Sequence, residues 1–192
     1  ARGGAVWAIN ATMESCSFTA NSASGALDSA GRGGAVYIQD GVSVFTECSF
    51  ESNTAENTAG AMYLYDSNDT ITNCTFTGNT GPLYHGGAIY RYTDGEDPGV
   101  ITGCLFQDNI CSGLGGGVAQ ANSTLNLQEC TFINNTGLQG GGALRHSGPC
   151  QYITGCVFAG NTTDGNGGGI QLEAGCSPMI SGCSFHGNDA LG

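Results

Sequence analysis

Lysine is absent from this 192-residue chain, and its four arginines (Arg2, Arg32, Arg91, Arg145) face sixteen aspartates and glutamates. The net charge of −12 argues against nucleic acid and anionic membrane as partners, since both recruit a cationic face. Charged residues of either sign make up 10% of the sequence, against about 25% in an ordinary domain. Serine, threonine and asparagine take their place, which suits a surface of hydroxyl and amide groups. No run of about 18 apolar residues occurs, so no helix is expected to span a membrane. An initiator Met and a signal-peptide pattern are also missing, and the chain reads as mature or excised. Its ten cysteines include no Cys-x-x-Cys pair, which argues against zinc and cluster sites. His85, His146 and His186 share no metal-ligand spacing. The Gly-rich run at 113–117 lacks the lysine of a phosphate loop. No cofactor is expected, apart from one weak calcium candidate considered below.

What the chain does have is a repeat. The frame Cys-x-Phe-x-x-Asn occurs seven times, with cysteines at Cys16, Cys48, Cys74, Cys104, Cys130, Cys156 and Cys183. The matching rings are Phe18, Phe50, Phe76, Phe106, Phe132, Phe158 and Phe185. A second frame, Gly-Gly-Ala-Val and its variants, interleaves with the first, from Gly3–Val6 to Gly167–Ile170. The basic unit is about 26 residues, with insertions near 22–31 and 91–98. Short alternating runs of β-branched and aromatic residues, punctuated by Gly and Asn, indicate about three strands per unit and no helix. One unit cannot bury its own apolar face. Stacking units about 4.8 Å apart does, which is the logic of a solenoid. The fold class expected is therefore all-β, a parallel β-helix of seven rungs forming one domain over residues 1–192.

In that frame Cys and Phe, two apart, point to one face and build two interior columns. The buried thiols are expected to act as small apolar fillers, and Cys111 to replace a small residue in the wall. Asn three residues after Phe marks a corner, where its amide bonds the rungs above and below. Asn161 belongs to that ladder and should be buried.

The paired Gly-Gly-Ala-Val-type and Phe-x-x-Asn tetrapeptides resemble the polymorphic membrane protein repeat family, known from chlamydial surface autotransporters. The resemblance covers all seven rungs. It implies a right-handed parallel β-helix and a passenger segment at a cell surface, often adhesive. This chain departs from that family in carrying a Cys in every rung.

Several residues stand apart from the frame. Trp7, Tyr37, Tyr63 and Tyr90 lie two beyond the frame's alanine, and Tyr65 and Tyr92 extend the same face. Their parity is opposite to the core, so they should point outward, either as a ladder that stiffens the sheet or as a contact face for glycan or protein. Asp94, Glu96 and Asp97 cluster in an insertion and read as a solvated loop or a weak calcium site. Cys150 and Cys176, in neighbouring rungs and off the column, are candidates for a disulfide, which would mark an oxidising compartment. Asn10, Asn68, Asn73, Asn122 and Asn134 begin Asn-x-Ser/Thr sequons at outward or turn positions. Such sequons also arise by chance in an Asn- and Thr-rich chain.

Three functions fit. The first is a non-enzymatic, secreted or cell-surface structural or adhesive solenoid, with copies or tandem segments stacking head to tail through the open coil ends. The second is a carbohydrate-binding module using the aromatic face. The third, an enzyme acting on polysaccharide, needs clustered acids on adjacent rungs, and here the acids are scattered.

Overall fold

The computed structural model describes residues 1–25, 30–93, 98–122 and 124–192, with the side chains of all of these but Cys150 and Gln151. Four seven-stranded parallel sheets run the length of the coil, each rung contributing one strand to each sheet. The first sheet runs from Val6–Ala8 to Ile170–Leu172, the second from Ala11–Glu14 to Met179–Ser181, and the third from Ser17–Thr19 to Ser184–His186. The fourth consists of two-residue strands, from Ser22–Ala23 to Asp189–Ala190. The expected three strands per rung are thus four. The extra pair follows the ladder asparagine and is too short to leave an alternating pattern.

Rungs stack in register. Each phenylalanine of the frame faces the next in the third sheet, and their rings lie 4.7–5.0 Å apart and within 8° of parallel. The asparagine ladder forms beside them. The Nδ2 of Asn79 donates to Asn109 Oδ1 at 3.0 Å in the following rung and to the Phe50 carbonyl at 3.0 Å in the preceding one. The same pair of bonds recurs at Asn53, Asn109, Asn135 and Asn161. Corner groups that sheet pairing cannot reach are satisfied this way. Asn161 is 0% exposed.

The cysteine column is interior, but its thiols are more than filler. Cys74 Sγ donates to the Thr72 carbonyl at 3.3 Å and accepts the Cys48 amide at 3.4 Å. Cys48, Cys104 and Cys130 make equivalent bonds to corner carbonyls. Sulfur is a weak hydrogen-bond partner, and here it serves backbone groups at a turn. Cys111 faces Gly81 and Gly137 in the fourth sheet and is fully buried; burial pushes its thiol up to about 11. The second glycine of the Gly-Gly-Ala frame is a close-approach position. A Cβ at Gly87 would run into the Gly116 carbonyl of the next rung.

Two interior columns turn polar in mid-coil. The inward register Ile38, Leu64, Arg91, Gln120, His146 carries apolar side chains, then a cation, an amide and an imidazole. Arg91 is 2% exposed and pairs with Asp69 at 3.3 Å, from a column otherwise apolar or small. Its Nη2 donates to the Ser67 carbonyl at 2.7 Å and its Nη1 to the Thr124 carbonyl at 3.3 Å. Ser67 Oγ donates to Asp69 Oδ2 at 2.9 Å. Space for the guanidinium comes from Gly99, where a Cβ would sit 2.6 Å from Arg91 Nε.

Candidate binding groove

The outward parity of the aromatic residues is as expected, but their exposure is not. Trp7, in the first rung, is 52% exposed, whereas Tyr37, Tyr63 and Tyr90 are 2%, 4% and 8% exposed. The reason is stacking. Tyr37 and Tyr63 lie 5.0 Å apart and 2° from parallel, so each hides a face of the other. The guanidinium of Arg2 then lies 5.2 Å over the Tyr37 ring, and that of Arg32 lies 5.1 Å over Tyr63, a cation–π arrangement. Tyr65 and Tyr92, stacked at 5.7 Å, remain half-buried. The contiguous exposed aromatic face is therefore a roofed tyrosine stack with an opening in it.

The opening has a cause in the repeat. Arg2, Arg32 and Thr58 occupy one position in successive rungs. Each arginine covers the tyrosine of the following rung, but Thr58 is too short to cover Tyr90. Tyr90 turns to 66° from Tyr63, and a groove of about 460 Å³ opens there, within the range of small-ligand sites. Tyr63, Tyr65, Tyr90 and Tyr92 line its floor; Arg32, Asn57 and Thr58 line one wall; Tyr84 and His85 complete the lining. Arg32 Nη1 donates to Tyr63 Oη at 3.4 Å, and Thr58 Oγ1 donates to Asn57 Oδ1 at 3.0 Å. The His85 ring centre lies 5.0 Å from that of Tyr90. Among the described residues, no carboxylate lines the groove.

The electrostatics follow from this setting. Burial, and to a lesser degree its tyrosine neighbours, raise the Tyr63 phenol despite Arg32. Burial pushes Tyr90 up to about 12, against the opposing pull of Arg145 and Arg32. Burial first, and Arg145 second, lower His85 to about 4, so its imidazole is neutral at pH 7. Because folding depresses this pKa, His85 contributes stability above the unfolded value near 6.5, and that stability is lost as pH falls toward 4. A His85→Gln variant is expected to show a flatter decline between pH 6.5 and 4 in chemical denaturation. An unchanged pH profile would mean that His85 titrates alike in the folded and unfolded protein.

The three histidines are not brought together. His85 is in the groove, His146 is inside the coil 3.2 Å from the Pro149 carbonyl, and His186 is exposed on the third sheet. Asp94, Glu96 and Asp97, the calcium candidate, lie outside the described residues. The expected disulfide is not formed. Cys176 is a free thiol that donates to the Gly148 carbonyl at 2.9 Å and the His146 carbonyl at 3.3 Å, so its bonding capacity is directed at backbone oxygen. Of the sequon asparagines, Asn10, Asn73, Asn122 and Asn134 are exposed and Asn68 is half-buried in its strand. The last three of the exposed set sit at left-handed corners with φ of 52°, 63° and 53°.

Arg32, Asn57, Thr58 and Tyr84 were not singled out in the sequence. A signal was present for one of them, because "RGGAV" occurs at both Arg2 and Arg32 and is broken in the next rung.

The coil, its four in-register sheets and its corner ladder define a parallel β-helix. The chain belongs to the family described as the right-handed β-helix region, which matches residues 3–190. Neither the curated proteins nor the solved structures yielded a match.

Proposed function

We propose that this chain is a non-enzymatic, extracellular β-solenoid that binds glycan in the tyrosine groove. The observation that carries this reading is the break in the arginine roof, which leaves a tyrosine floor beside Arg32, Asn57 and Thr58. Aromatic faces pack against the C–H faces of sugar rings, while amide, hydroxyl and guanidinium groups bond the ring hydroxyls. A neutral imidazole in a groove whose described lining has no carboxylate offers no acid–base pair for cleaving a sugar chain. Exposed Asn73, Asn122 and Asn134, with Asn161 buried, suit glycosylation on the way to a cell surface. The likeness to polymorphic membrane protein repeats supports the same location. Ile180 and Phe185 of the seventh rung are 43% and 49% exposed; a further rung, from this chain or another copy, would cover them, and this is the self-association we propose. The groove is tested by glycan binding to the purified chain. Tyr65→Ala is expected to weaken binding about two- to tenfold, given about 0.5–1.5 kcal/mol for one aromatic contact. Binding unaffected by both Tyr65→Ala and Tyr92→Ala would place the ligand elsewhere.

A further inference from the structure

A sealed column of thiols runs through the coil apart from the tyrosine groove. Cys48, Cys74, Cys104, Cys130 and Cys156 are each at most 1% exposed. They hold one place in successive rungs, because the amide after each cysteine donates to the carbonyl of the cysteine one rung before, at 2.9–3.0 Å. Their sulfurs repeat the same bond as well, each donating to the carbonyl two residues earlier at 3.2–3.4 Å. Sulfurs placed alike in every rung are separated by the rung spacing, about 4.8 Å.

That spacing discriminates among the things thiols do. A relaxed disulfide wants Cβ atoms about 3.8 Å apart, so forming one would require drawing the rungs together. Tetrahedral zinc needs four ligands around one point, and among the described residues no three His, Cys, Asp or Glu are placed to hold an ion. A linear unit is different. On the scale of a zinc–thiolate bond of about 2.3 Å, a sulfur–cation–sulfur line spans about 4.6 Å, close to the rung spacing. Thiol sulfur selects soft cations such as copper(I), and two-coordinate linear binding is the habit of copper(I) and silver(I).

We propose that the column binds a soft monovalent cation, copper(I) or silver(I), in line between thiols of successive rungs, with Cys74 and Cys104 the best-prepared pair. Both sulfurs of that pair accept an amide, Cys74 Sγ from Cys48 at 3.4 Å and Cys104 Sγ from Cys74 at 3.3 Å, and donors aimed at sulfur favour the thiolate. Losing an S–H orphans no oxygen. The Thr72 and Thr102 carbonyls that accept those protons also accept the backbone amides of Glu47 and Asn73 at 3.0 and 2.9 Å. One proton leaves for each ion bound. Cys74 becomes the thiolate, Cys104 coordinates through a lone pair and keeps its proton, and the unit carries no net charge in the apolar interior. The division of roles agrees with the surroundings. The Cys104 thiol first, and the Cys48 amide after it, lower Cys74 against the opposing effect of burial, while the Cys130 and Cys74 thiols and burial raise Cys104.

The test uses silver(I), which needs no reductant to keep its charge. Because the column is sealed, the reduced, intact chain is refolded from urea in chloride-free silver nitrate and then exchanged against excess free histidine. Native mass spectrometry is expected to show silver retained by the folded chain, and X-ray absorption to show two sulfur neighbours in line. Two triple variants separate adjacency from thiol number, since each keeps four of the seven column cysteines. Replacing Cys48, Cys104 and Cys156 by alanine leaves no two column thiols in successive rungs and should abolish retention. Replacing Cys16, Cys48 and Cys183 by alanine leaves Cys74 to Cys156 contiguous and should preserve it. Equal retention by the two variants, three or four sulfur neighbours around silver, or no silver held by the unaltered chain would each overturn the proposal. Retention and coordination in the unaltered chain decide the matter even if a variant fails to fold.

Discussion

Replacing Phe76 by alanine is expected to lower the unfolding free energy by about 3–5 kcal/mol. Phe76 is fully buried, with the rings of Phe50 and Phe106 at 4.7 and 4.8 Å. Removing it strips contacts from both neighbours at once. The hole cannot close by sliding rungs together, because the rung spacing is held by backbone pairing on four sides and by Asn109, whose Nδ2 bonds the Phe76 carbonyl at 2.9 Å. A cavity that cannot collapse carries its full cost. The same change at Phe185, 49% exposed and stacked on one side only, should cost much less. Equilibrium denaturation of both variants checks the pair. A loss under 1 kcal/mol at Phe76, or equal losses at the two positions, would mean the column does not hold the coil together.

The Phe column was readable because its physics is periodic. Seven repeats of Cys-x-Phe-x-x-Asn average out local accidents, and period-2 parity then assigns each side chain to the inside or outside. The Asn ladder and the burial of Asn161 and Cys111 followed from the same register. What could not be read was anything set by the absence of a repeat. Parity places Tyr37 and Tyr63 outside the coil, but whether an outward ring is exposed depends on what lies over it. Here that is an arginine three positions before the alanine of the preceding rung. The groove exists because Thr58 interrupts that pattern, and a single interruption is invisible to an averaging argument. Cys176 shows the same limit. Its position allowed a disulfide, but its partners are the carbonyls of His146 and Gly148, and chain spacing does not reveal the direction of an Sγ. Arg91 is the clearest case. It shares inward parity with Ile38 and Leu64, so a strict reading of period 2 buries a guanidinium, a placement that makes sense only with a partner. The partner, Asp69, comes from a different sheet of the preceding rung.

Asp69→Ala is expected to cost about 3–5 kcal/mol, as much as emptying the aromatic column, although it deletes far fewer apolar contacts. The carboxylate is 1% exposed and Arg91 is 2% exposed, so neither charge has solvent to fall back on. The guanidinium would keep its bonds to the Ser67 and Thr124 carbonyls, but it would lose the buried carboxylate that it pairs with at 3.3 Å. The double variant Asp69→Ser with Arg91→Leu should behave differently. It gives each site the residue found at the register-matched position of the preceding rung, Ser43 and Leu64, and so removes the charge together with its counterion. Replacing a buried ion pair by residues that fit is often neutral or stabilising, and the double variant is expected to recover most of the loss. Urea denaturation of Asp69→Ser, Arg91→Leu and the double variant forms a cycle that isolates the pair. If Asp69→Ala costs less than 1 kcal/mol, or the double variant costs as much as the two singles together, the pair is not a coupled buried charge.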